Sequence, residues 1–104
     1  MSATILRGPQ NRTAFSHSTV NFSCTSDRAS DVYWKYIEND GISIVIFDKR
    51  GRNEKRFNDR FVKTTNKSVS FLTIQNVSAS DSGIYFCHEY GSFHEWEAQL
   101  TVIG

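Results

Sequence analysis

Asp81-Ser82-Gly83-Ile84-Tyr85-Phe86-Cys87 is the stretch from which the rest of the chain is placed. It closes on the second of two cysteines; the first, Cys24, stands 63 positions upstream, and Trp34 follows Cys24 by ten. Around this frame, period-2 apolar runs separated by turn residues repeat along the chain, with no competing helical stripe. The expectation is an all-β protein. Val20, Phe22 and Cys24 alternate on one strand, Val32 and Trp34 on the next, Leu72 and Ile74 on a third, and Leu100 and Val102 on the last. Glu38-Asn39-Asp40-Gly41 reads as a tight hairpin turn, because Asp-Gly supplies the positive φ of a primed turn, and Ile42 to Asp48 follows as a strand.

With 104 residues, 38% hydrophobic and 13% aromatic, the chain is a single domain spanning 1–104 that can fill one modest core. A formal net charge of +1 gives no global pull toward nucleic acid, and no base-stacking motif accompanies the charges. His17, His88 and His94 have no metal-ligand spacing, and there is no nucleophile elbow or phosphate loop. The expectation is therefore no enzyme, with no catalytic, metal-binding or cofactor-binding residue. Four Asn-X-Ser/Thr sequons, at Asn11, Asn21, Asn66 and Asn76, fit a glycosylated surface protein. No apolar stretch is long enough to cross a bilayer and no signal peptide is read. The expected setting is the extracellular portion of a single-pass membrane protein whose anchor lies elsewhere in a parent chain.

Trp34, Arg60-Phe61, Leu72-Thr73-Ile74, the Asp81-to-Cys87 stretch and Leu100-Thr101-Val102 together resemble the V-set of the immunoglobulin superfamily, over nearly the whole chain. That resemblance implies a β-sandwich of two antiparallel sheets with one inter-sheet disulfide, Cys24 to Cys87, joining strands B and F beneath Trp34. On the chain-entropy model, closing so long a loop contributes roughly 4 kcal/mol and belongs to an oxidising compartment. It also implies that Tyr85 is the tyrosine corner, that Arg60 pairs with Asp81 at the bottom of the sandwich, and that the span between Trp34 and Phe61 holds strands C' and C'' as well as D, nine strands in all.

Antigen-receptor variable domains carry Phe-Gly-X-Gly where this chain has His94-Glu95-Trp96-Glu97, which favours a germline-encoded receptor over a rearranged one. The frame is similar to the T-cell coreceptors that bind class I MHC and to teleost-type immune receptors. The function this implies is a coreceptor-like V domain that dimerises through its GFCC' face and engages MHC class I through Asp27, Arg28 and Ser30 of the B-C loop and Tyr90, Gly91, Ser92 and Phe93 of the F-G loop. The alternative is a monomeric adhesion, checkpoint or novel immune-type receptor that binds a counter-receptor in trans. A homodimer and a heterodimer with a related V domain both stay open.

Strand parity, counted from Trp34 and Cys87, turns Tyr33, Lys35 and Ile37 of strand C and Phe86 and His88 of strand F outward on the front sheet. Strand C' adds Ile42, Ile44, Val45, Ile46 and Phe47, apolar on both faces, which implies covering on both sides. The face nominated for a partner comprises Lys35, Ile37, Ile46, Phe86 and His88, where protonation of His88 could tune pairing. All four sequons are assigned to the back sheet or its edges, leaving the front free. Phe71 is expected beside Asn21. Lys49, Arg50, Arg52, Lys55 and Arg56 read as a solvated C'-C'' loop, interrupted by Glu54.

Overall fold

The structure is a computed structural model that describes residues 5–37, 40–48, 50–51, 53, 57, 59–91 and 95–104. Its strands are β1 (Ile5–Arg7), β2 (Arg12–Phe15), β3 (Val20–Ser26), β4 (Val32–Ile37), β5 (Ser43–Phe47), β6 (Phe61–Asn66), β7 (Val69–Ile74), β8 (Gly83–Glu89) and β9 (Glu95–Ile103). Single 3-10 turns at Ala29–Asp31 and Ala79–Asp81 carry the chain from one sheet to the other. The back sheet has the order β1-β3-β7-β6 and the front sheet β2-β9-β8-β4-β5. All pairs are antiparallel except β2 with β9, which run parallel.

The alternation read from sequence becomes the core. Val20, Phe22 and Cys24 of β3 face Trp34, Leu72, Ile74, Tyr85, Cys87 and Leu100 in one buried cluster, and the Cys24–Cys87 disulfide ties the two sheets through it. Burying each of these large side chains contributes roughly 1.5–3 kcal/mol. The one polar atom of Trp34 is satisfied, since its Nε1 donates to Ser70 Oγ at 3.0 Å.

The closing stretch explains its own composition. Tyr85 donates its hydroxyl to the carbonyl of Asp81 at 2.6 Å, as a tyrosine corner does, and burial beside the Asp81 charge pushes the phenol well above its ordinary range. Arg60 donates two parallel bonds to the Asp81 carboxylate, at 2.9 and 3.1 Å, and two more to the carbonyls of Gln75 and Asn76. The same carboxylate accepts the Ser78 N–H. Gly83 holds φ +150°, and a Cβ there would lie 2.8 Å from the Tyr36 ring, so the position admits only glycine without displacement.

Two elements depart from the sequence expectation. Among the described residues the ninth strand comes from splitting the first: β1 pairs with the back sheet and β2 with the front, and the chain crosses between them at Gly8-Pro9. Gly8 passes against Trp96, whose Cβ would stand 2.8 Å from an added Cβ. The expected strand C'' falls in the Lys49-to-Phe57 span, where 49, 52 and 54–56 lie outside the described residues; the Phe47–Asn53 bridge is what is described there.

A candidate protein-recognition face

Residues directly opposite each other in a sheet share a face, so the ladder registers sort the front sheet into rows. Lys35 of β4, Phe86 of β8 and Glu97 of β9 form one row. Tyr33, His88 and Glu95 form the row above it, and Ile37, Ile84 and Gln99 the row below. Trp34 and Cys87 alternate with these and point inward, so Tyr33, Lys35, Ile37, Phe86 and His88 lie on the outer face as parity required.

Outward does not mean bare. Phe86 is only 5% exposed although it stands outside the core cluster, because Lys35 lies across it with Nζ 5.6 Å from the ring centroid. The ammonium ends 4.0 Å from Glu95, the outer limit of an ion pair. Beside the ring is a shallow hollow of about 270 Å³ lined by Ile37, Gly41, Ser43, Phe86, Glu95 and Glu97. Ile37 and Phe86 line it together with the two β9 carboxylates.

Ile46 does not belong to this face. The β4–β5 ladder shifts between Trp34, opposite Phe47, and Lys35, opposite Val45, so Ile46 is the extra residue of a β-bulge. The bulge turns both Ile46 and Phe47 into the core and leaves Val45, 37% exposed, on the outer side. The run that reads as apolar on both faces is thus a bulged strand buried on one of them, and it does not by itself require a cover.

The sequons divide differently from expectation as well. Asn21, Asn66 and Asn76 are exposed on the back sheet and its E-F corner, but Asn11 immediately precedes β2 and accepts the Gln99 N–H at 2.8 Å, which puts it at the edge of the front sheet. The error follows from the strand crossing at Gly8-Pro9, which strand parity cannot detect. Asn21 sits opposite Thr73, whose hydroxyl donates to it at 2.6 Å, while Phe71 is opposite Ser23.

At the loop end, Asp27, Arg28 and Ser30 are exposed, and Tyr90, 58% exposed, stacks on Tyr33 with centroids 6.2 Å apart. Gly91 follows at φ +87°. Ser92, Phe93 and His94 lie outside the described residues, as do Lys49, Arg52, Lys55 and Arg56; Arg50 is exposed.

An immunoglobulin V-set domain family model matches residues 7–103. This chain belongs to the V-set family. The V-set domain is 34% identical to the B-cell antigen receptor complex-associated protein beta chain of Mus musculus, over 69% of this chain and 28% of that protein, so it spans less than a third of that relative's length. The family is one of non-enzymatic receptor domains, and the match places this V-set domain among the relatives of immune-receptor chains.

One residue of the V-set domain escaped the sequence reading. Glu89 on β8 is fully buried; Ser26 Oγ bonds one of its carboxylate oxygens and also accepts the Arg28 N–H, so the carboxyl and the B-C loop are joined through one hydroxyl. Burial first, then the nearby charges of Asp27 and Asp31, push this carboxyl above the ordinary glutamate range against the opposing effect of Arg28. The signal was available: Glu89 stands two residues after Cys87 and shares its inward face.

Proposed function

We propose that this V-set domain is a binding ectodomain of a cell-surface immune receptor and that it works by pairing its front sheet with another protein, a related V domain foremost. The observation that carries this is the row architecture of that sheet: a cation, a ring and a carboxylate on neighbouring strands, beside a hollow lined by Ile37, Phe86 and the carboxylates of Glu95 and Glu97. Such a surface offers both an anchor site and a charge pattern to a protein partner. The mouse relative is named for its association with a receptor complex, which favours assembly with other receptor chains over a free-standing coreceptor. Three of the four sequons stand away from the face, so sugars there would shield the back sheet and leave the front accessible.

A second reading, a ligand such as class I MHC gripped by the B-C and F-G loops, draws on Tyr90, which stands exposed and braced by Tyr33 at the loop end. A single experiment separates the two. Glu97→Asn with Gln99→Thr creates a sequon on exposed β9 positions of the front face, and multimers of this variant are compared with wild type for staining of lymphocytes. Loss of staining supports the front sheet; staining that survives the new sugar but disappears in Tyr90→Ala transfers the function to the loops.

A further inference from the structure

Resting on the reading of the chain as the ectodomain of a cell-surface protein, we infer that Asn21 carries an N-linked glycan whose first sugars lie on the outer face of the back sheet and pack against Phe71. The Cys24–Cys87 disulfide implies the same secretory route on which such a sugar is added.

Phe71 is the centre of a patch built from three outward positions on each of β3, β7 and β6, the residues that alternate with buried Phe22, Leu72 and Phe61. Ser23 and Thr64 stand directly opposite it, one on either side. No position of the patch is charged, whereas the outer face of the front sheet carries Lys35, Glu95 and Glu97. A second protein would find no charge here to fix its orientation. A pyranose needs none. Its C–H face is apolar and can lie on a half-buried ring, while its hydroxyls exchange hydrogen bonds with the surrounding Ser and Thr side chains.

Two sequons lie at opposite corners of this patch. Asn21 is opposite Thr73 and Asn66 is opposite Val69, so each is a diagonal neighbour of Phe71, about 7–8 Å away and within reach of an attached sugar. The amides differ in how they are held. Thr73 Oγ1 donates to Asn21 Oδ1 at 2.6 Å, whereas among the described residues no hydrogen bond holds the side chain of Asn66, the last residue of its strand. Attachment forms the C1–Nδ2 bond and breaks the C1–O bond to a lipid-linked pyrophosphate donor; Nδ2 gives up one proton and the lipid pyrophosphate leaves. Oδ1 is not consumed. The bond to Thr73 therefore survives attachment and fixes the amide from which the sugar starts, so less freedom is lost when the sugar settles on the ring.

The test uses the whole domain secreted from a glycosylating host, with occupancy of Asn21 read by glycopeptide mass spectrometry and melting temperatures compared in a two-by-two cycle. Ser23→Ala removes the sugar but keeps the Asn21–Thr73 bond, and Phe71→Thr removes the ring. The same four proteins made without sugars are the control. The expected result is an occupied Asn21 whose sugar, when lost, lowers the melting temperature by about 4–8 °C beside Phe71 and by less than about half as much beside threonine, with no such coupling in the control. Equal losses in both backgrounds overturn the packing on Phe71, and an unoccupied Asn21 overturns the site itself. One further measurement needs no variant. In the wild-type glycoprotein the ring current of Phe71 should displace proton resonances of the first N-acetylglucosamine upfield, and undisplaced resonances overturn the contact. Pairing through the front sheet is decided separately, by the staining of the β9 glycan variant, because Phe71 and β9 belong to opposite sheets.

Discussion

Glu89 places a carboxyl where the strand pattern calls for an apolar side chain, and its consequence is a pH dependence with a definite sign. An acid whose folded value lies above its unfolded one binds more protons folded than unfolded between the two, so stability falls as pH rises through that interval. The contribution of Glu89 is complete below the ordinary glutamate value of about 4.3 and is lost as pH climbs through its raised folded value. Melting temperatures of wild type and Glu89→Gln should therefore converge in acid and separate toward neutrality, with the glutamine variant the more stable; parallel curves would remove Glu89 as the cause. At Gly83 the constraint is steric. Gly83→Ala forces a side chain onto the Tyr36 ring at a φ that disfavours one, and should cost about 1–3 kcal/mol in urea unfolding. Both residues sit in or beside the stretch from which the fold was read. The roles of Tyr85, Cys87 and the Arg60–Asp81 pair were announced by the resemblance to the V-set, whose pattern these residues match. The buried carboxyl was legible in principle, since parity alone turns Glu89 inward, but a charged residue at a strand end also suits a solvated loop.

Among the elements, parity succeeded wherever a strand is regular. In β3, β7 and the first half of β4 an alternating sequence yields an alternating burial, while in β8 the outward Phe86 is buried as well, under Lys35. It failed at β5, where one inserted residue shifts the phase within five positions and sends Ile46 to the core. A bulge depends on how two strands meet, and neither strand's sequence records it alone. The correction has a direct check in stability. Ile46→Ala should cost about 2–5 kcal/mol as a core truncation, whereas Val45→Ala, one residue away, should fall within about 0.5 kcal/mol of wild type. Equal effects would mean that the ladder shift is elsewhere. The same limit hid the place of Asn11: its strand's sheet is chosen by a crossing at Gly8-Pro9, and that crossing depends on the contact of Gly8 with Trp96, far away in sequence.

Taken whole, the molecule has almost no net charge but an uneven distribution of what it carries. The β9 rim of the front sheet is acidic, Lys35 stands across the face from it, and sugars, if attached at Asn21, Asn66 and Asn76, would gather on the opposite side. A partner is thus steered by local pattern, which salt can screen, and little by global attraction. The split first strand bears on a different matter, the response of the domain to tension. β2 and β9 run parallel, with Arg12 beside Leu100 and Phe15 beside Ile103. A pull that enters at the start of β2 and leaves at the end of β9 draws the two strands lengthwise past each other, so their hydrogen bonds share the load and must yield together; strands arranged to peel would give way one bond at a time. The short crossing at Gly8-Pro9 thereby sets an edge of the front sheet to be loaded in shear under such a pull.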